Sequence, residues 1–295
     1  LDLIFPLAAL PTVGETVLAP DMRMEPGGKG ANQAFAAARD GARVVLVGAV
    51  GRDNLAADAL ALLRTEGVDL SRVTTTARTT GCAAVFVDRQ GRNMIGVGSG
   101  ANLAARADQV EDALLTPGAT LVLQMEVSGE ETAALIRRAR VRGARVILNL
   151  APAAPIETNT LRMVDILCVN EIEAAWLAGT LDCVPAAEGL RAALGVTVVR
   201  TLGARGAEAA HPGGLLHVPA HPVDAVDTTA AGDCFTGVLA SALDRGLALG
   251  PALARASAAA ALCCTRPGSQ ATMPKAAETD AALAGSESAS PRPPR

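Results

Sequence analysis

Half of the 295 residues are apolar and the formal net charge is −4. The chain can therefore bury a large core in one domain, or in one domain with a small appendage, and it offers no basic stripe for nucleic acid. Six scattered cysteines without CxxC spacing exclude a zinc ribbon or a disulfide scaffold; no apolar run approaches the ~20 residues of a membrane span, and no basic-plus-apolar leader opens the chain, so the cytoplasm is the expected compartment.

The sequence starts in "LDLIFPLAALP", which reads as if in mid-strand, and its head is Leu, not Met; the natural N-terminus is expected upstream. "GETVLAPDMRMEPGG" (Gly14 to Gly28) reads as antiparallel strand. Next, "EPGGKGANQAFAAARDGA" sets Gly27, Gly28 and Gly30 around Lys29 and opens a helix with Asn32 and Gln33 in its first turn. Such glycines let a ligand touch backbone N–H groups, with Lys29 and Asn32 as handles for hydroxyls or phosphate; the same residues also suit an ordinary glycine turn. Lys29 and Lys275 are the only lysines.

"ARVVLVGAVG" (Ala42 to Gly51) is a buried strand ending in a glycine turn, and "NLAADALALLRTEG" is a helix. Gly48, Gly51 and Asp69 are a partial dinucleotide fingerprint whose third glycine is missing. "TTGCAAVFVDRQGRNMIGVGSG" (Thr79 to Gly100) predicts a hairpin turning at "DRQG". With the first strands it forms a small β lid or dimerisation flap, spanning about 2–26 and 78–100.

From "ATLVLQMEV" onward, apolar strands alternate with helices: "EETAALIRRARVRG", "ARVILNLAP", "VDILCVNEIEAAWLAG", "GVTVVRTLG". This rhythm predicts a doubly wound, mostly parallel α/β sheet with helices on both faces and ligands beyond the strands' carboxyl ends. Asn170 and Glu173 sit three apart at a strand-to-helix junction, where they fit either a ligand site or a capping box. "RTLGARGAE" is a glycine-bracketed loop suited to a phosphate or to a hairpin turn. His211, His217 and His221 read as solvated loop residues. In "AVDTTAAGDCFTG", Asp233 follows Gly232 at the mouth of a helix, either capping it or standing free beside an anion held by its amides. Residues 286–295 close the chain as a disordered tail after a domain spanning 1–285.

Together "GGKGANQA" (27–34), "NEIE" (170–173), "TLGARG" (201–206), "DTTAAGD" (227–233) and "TRPGSQATMP" (265–274) resemble the ribokinase branch of the PfkB family of carbohydrate kinases. The resemblance implies ATP-dependent phosphorylation of D-ribose at O5, with Asp233 as general base and the amides of Ala231, Gly232 and Asp233 as the anion hole. It assigns sugar contacts to Asp2, Gly28, Lys29, Asn32 and Glu126, and ATP contacts to Asn170, Thr201, Gly203, Gly206 and Gly232. Ser257 falls where the family has an adenine-flanking Asn, and Pro267 where lysine is common. Glu173 would hold Mg²⁺ through water, and Asp227 with the Thr229 carbonyl would hold K⁺. The family's first strand and its "GSIN" segment would precede Leu1. A homodimer through the β lid is implied, with no nucleic-acid or membrane partner. The rival readings are another kinase on the same body (fructose, ketodeoxygluconate or nucleoside), a sugar-binding pseudokinase and an NAD-dependent oxidoreductase.

Overall fold

The computed structural model describes residues 1–288. In chain order the elements are β1 (Asp2–Pro6), β2 (Arg23–Glu25), α1 (Lys29–Arg39), β3 (Val45–Gly51), α2 (Leu55–Ala59), α3 (Ala61–Thr65), β4 (Asp69–Thr76), β5 (Cys82–Val87), β6 (Asn93–Gly98), β7 (Thr120–Leu123), α4 (Gly129–Arg142), β8 (Arg145–Asn149), α5 (Thr158–Leu161), β9 (Ile166–Val169), α6 (Glu171–Leu181), α7 (Ala187–Leu194), β10 (Thr197–Thr201), β11 (Ala207–His211), β12 (Gly214–Val218), α8 (Ala231–Asp244), α9 (Leu249–Cys263) and α10 (Ala276–Ser288). Six strands make the main sheet in the order β12-β11-β10-β9-β8-β7; β7 to β10 run parallel, and β11 and β12 add an antiparallel hairpin. β3 and β4 form their own parallel pair.

The apolar central strands are packed on both faces. Along β8, Ile147 enters a core shared with α1, α3, α8 and α9, while Val146 and Leu148 enter a second core under α4 to α7. β9 alternates in the same way, Cys168 to the first core and Leu167 and Val169 to the second. Ile147, Leu148 and Leu167 are completely buried, each worth about 1.5–3 kcal/mol by apolar burial.

Gly237 on α8, one turn below Asp233, faces α1 with no room for a side chain between the two helices. A Cβ there would overlap the Gln33 carbonyl oxygen and come within 2.8 Å of Ala36 Cβ. Gly237→Ala should therefore destabilise the fold by about 1–3 kcal/mol through overpacking. Urea melts of the two proteins measure the loss.

The four-stranded small sheet has the order β2-β1-β5-β6, with β1 and β5 parallel and the other pairs antiparallel. Alternate residues (Asp2, Ile4, Ala83, Val85, Ile95, Val97) line a cavity, while Phe5 and Phe86 stack at 5.3 Å on the other face. Ala83 thus borders the cavity and Ala84 does not. β5 and β6 meet in the expected hairpin at Asp88 to Gly91, where the Asp88 carbonyl accepts from Gly91 N–H and its side chain from Gln90 and Arg92 N–H.

Three expectations are corrected. Of Gly14 to Gly28 only Arg23–Glu25 is strand; Pro20 supplies no donor, and most of 14–22 is exposed without a sheet partner. The tail does not begin at residue 286, since α10 continues to Ser288; positions 289–295 lie outside the described residues. His211 and His217 lie on β11 and β12, not in loops. Among the described residues no helix is long and apolar enough to cross a membrane, and all six cysteines are free.

Candidate active site

Every parallel strand of the main sheet ends in a polar residue or runs into one: Gln124 and Glu126 after β7, Asn149 ending β8, Asn170 after β9 and Thr201 ending β10. These ends form one edge, and the small sheet roofs part of it over a cavity of about 1040 Å³. Asp2, Gly28, Lys29, Asn32, Glu126, Asp227, Thr229 and Asp233 all line that cavity.

The glycines of "GGKG" each have a local reason. Gly28 caps α1 at φ 94°, a conformation that disfavours any side chain, and a Cβ on Gly27 would overlap the Asp2 carboxylate. The chain thereby delivers the first amide of α1, Lys29 N–H, to Glu126 Oε2 at 2.8 Å. A carboxylate at a helix N-terminus is favourably placed in the helix field.

α8 starts from Ala230 in the left-handed region at φ 58°, an uncommon conformation for a residue with a Cβ. Ala231 N–H closes a turn onto Thr228 O at 3.2 Å. The N–H groups of Gly232 and Asp233 donate to no acceptor among the described residues, so two of the three amides expected to form an anion hole are open. The Asp233 side chain does not fold back to cap its own helix. It points to α1, where Oδ2 accepts from Asn32 Nδ2 at 3.0 Å and Oδ1 from Gln33 Nε2 at 2.9 Å. Asn32 is itself held by Gln270, whose Nε2 donates to Asn32 Oδ1 at 3.0 Å.

Four carboxyl groups are coupled electrostatically here, and Lys29 is the cation common to all four, joined at Asp2 by the N-terminal ammonium. Burial is the largest cause pushing Asp233 above its ordinary value, and the Lys29 ammonium, then the Asn32 and Gln33 donors, pull it back. Asp2, Glu126 and Glu173 are likewise raised, burial being the largest cause in each, and Lys29 opposes the rise in all three. A site with this surplus of buried negative charge favours a ligand rich in hydroxyl donors and a cation.

Asn170 and Glu173 form a complete capping box: Glu173 N–H donates to Asn170 Oδ1 and Asn170 N–H to Glu173 Oε2, both at 2.8 Å. The bland expectation for this pair is thus realised, yet Glu173 remains buried and within electrostatic reach of Asp233 and Lys29. Thr201, Gly203 and Gly206 build a tight turn after β10, closed by Leu202 N–H on Gly206 O at 2.8 Å. Ser257 spends its hydroxyl on Pro219 O at 3.2 Å and does not line the cavity. Asp227 accepts Thr229 N–H on Oδ1 and Gly268 N–H on Oδ2; burial raises it, but the Thr229 side chain, these two amides and Arg23 together outweigh that and hold it below the usual carboxylate range.

Gln33, Gln124, Asn149 and Gln270 were not assigned any role from sequence. Their signal was present for three of them: a polar residue breaking an apolar strand at its carboxyl end (Gln124, Asn149) or opening a buried helical face (Gln33). Gln270 carries no such signal.

A family model described as pfkB family carbohydrate kinase matches residues 2–276. The ribokinase of Haemophilus influenzae is 35% identical over 277 residues, 90% of this chain and 90% of its own. Among solved structures, ribokinase from Thermotoga maritima superposes with a TM-score of 0.89 at 32% identity, covering 96% of each chain. Arabidopsis thaliana ribokinase, solved in complex with ribose and ATP, gives a TM-score of 0.86 at 30% identity over 96% of this chain and 95% of that one. The doubly wound body and the small sheet are those of the ribokinase-like fold, and the chain belongs to the pfkB family of carbohydrate kinases.

Proposed function

We propose that this protein transfers the γ-phosphoryl group of ATP to O5 of D-ribose. The observation that carries the reading is Asp233: a buried carboxylate on the cavity wall, at the start of the helix where the amides of Gly232 and of Asp233 itself are open. Asp233 takes the proton of the sugar's primary hydroxyl, and those two amides receive the phosphoryl oxygens at the helix N-terminus, the Ala231 N–H being spent on Thr228 O to close the turn before them. Phosphoryl transfer needs positioning and charge stabilisation more than covalent chemistry, which this arrangement supplies. Asp2, Gly28, Lys29, Asn32 and Glu126 bind the sugar hydroxyls, and the small sheet acts as the lid over them. Asn170, Thr201, Gly203, Gly206 and Gly232 follow the nucleotide; Ser257, buried with its hydroxyl donated to Pro219 O, has no donor left for the nucleotide's base.

Among the described residues no three metal-ligating side chains cluster, so Mg²⁺ would be held largely by phosphates and water, with Glu173 supplying the buried carboxylate. When bound, it neutralises charge on the transferring phosphates. Asp227, held ionised by two amides, and the Thr229 carbonyl suit a K⁺ ion that steadies the loop before α8. A homodimer through the lid is supported by β6, whose Met94, Ile95 and Val97 are about half exposed in the single chain. Use of ATP fits a cytoplasmic location.

ADP release tests the reading across D-ribose, 2-deoxyribose, fructose, ketodeoxygluconate and nucleosides, with Mg²⁺ and with K⁺ or a bulky organic cation. D-ribose should give the highest kcat/KM, with activity lost without Mg²⁺ and lowered without K⁺. Turnover confined to another acceptor, or none with any, would refute it.

A further inference from the structure

Gln33 lies at the centre of a polar chain that the proposed sugar and nucleotide contacts leave unused. It is 2% exposed and absent from the cavity wall, so it touches no ligand there. Its Nε2 uses both hydrogens, one to Asp233 Oδ1 at 2.9 Å and one to Asn149 Oδ1 at 3.0 Å. Its Oε1 accepts from Gln124 Nε2 at 2.6 Å, and Asn149 is anchored in turn on Cys168 O at 3.4 Å. The amide has only one workable orientation. Flipped, its oxygen would face the Asp233 carboxylate and the Asn149 carbonyl oxygen, and its NH₂ would face a donor.

We infer that Gln33 is a positioning residue for Asp233: it fixes the carboxylate plane, and Gln124 locks the amide that does so. The inference rests on Asp233 being the base. With Asn32 on Oδ2 and Gln33 on Oδ1, the carboxylate cannot spin about its Cβ–Cγ bond without breaking two bonds at once. Each oxygen keeps a lone pair free, one of which must reach the alcohol. Donation also favours the charged form against burial. The other groups that act on Asp233 electrostatically are Lys29 on α1, Asp2 on β1, Glu126 after β7, Glu173 on α6, Cys234 on α8 and Cys263 on α9. Only Lys29 among them favours the ion, so the side-chain amides carry the rest of that task.

The test is the pH profile of kcat/KM for ribose in Gln33→Met, Gln33→Glu, Gln124→Met and Asp233→Asn, with ribose binding followed by calorimetry. Gln33→Met should move the acid limb upward by about 1–2 pH units, the worth of one hydrogen bond to a charged group. It should lower kcat about 10–100-fold while the ribose Kd changes little. Gln33→Glu keeps the shape if the apolar variant fails to fold, and its second carboxyl should raise the limb further. Gln124→Met should shift the limb in the same direction but less. A uniform loss of rate with the limb unmoved in the Gln33 variants would overturn the inference while Asp233→Asn, if inactive, leaves the base assigned. Turnover by Asp233→Asn at the wild-type rate would instead remove the base, and the inference with it.

Discussion

Asp233→Asn should lower kcat for ribose about 10²–10⁴-fold, the usual worth of a general base, while ribose still binds. An amide cannot take the hydroxyl proton. Its NH₂ would also face a donor, since Asn32 Nδ2 and Gln33 Nε2 both point at the carboxylate oxygens. Asp2, Lys29, Asn32 and Glu126 are untouched, so the sugar Kd should stay within about tenfold; stopped-flow turnover and calorimetry separate the two. The wild-type enzyme carries a matching pH signature. Its base acts only when ionised, and burial raises Asp233 above 3.8. kcat/KM, which reports the free enzyme, should therefore fall as pH drops through a value above 3.8, and the variant should lack that limb.

The second large effect is on stability, far from the chemistry. Asp40, at the end of α1, is 1% exposed and accepts from Arg255 Nε on α9 at 2.7 Å and from an Arg245 Nη nitrogen at the end of α8 at 2.6 Å; Arg255 also pairs with Asp280 on α10. Asp40→Ala strands the Arg255 guanidinium in the core. Breaking a buried pair from one side costs about 3–5 kcal/mol. The lower figure, about 3 kcal/mol, is expected because Asp280 remains and Arg245 is partly exposed. Replacing both partners with apolar residues, Asp40→Leu with Arg255→Met, should cost less than Asp40→Ala alone. Urea melts of the three proteins measure this, and kcat per folded molecule should stay near wild type, since the network touches no cavity residue.

The alternating rhythm and the loop motifs were legible because strand period, helix period and glycine conformation are local properties. The hairpin at Asp88 to Gly91 followed from them, whereas Asp2, Glu126, Asp227 and Thr229 were named only through the family resemblance that the loop motifs carried. What stayed hidden is long-range. Asn32 and Gln33 meet Asp233 across some 200 residues of chain, and Gln270 reaches Asn32 across 238; no spacing rule connects such positions. The exposed segment 14–22 misled because its β-like residues have no strand to pair with, and the supposed tail because α10 runs three residues beyond residue 285. "NEIE" was left open in sequence and remains two things at once, a helix cap and a buried carboxylate beside the site.

The most direct measurement is a crystal structure of the protein with D-ribose and a non-hydrolysable ATP analogue. Ribose should lie under the small sheet with O5 within about 3.2 Å of an Asp233 carboxylate oxygen, and the γ-phosphate at the Gly232 and Asp233 amides. A sugar bound with O5 turned away from Asp233, or a nucleotide whose phosphates avoid the start of α8, would contradict this placement of the chemistry.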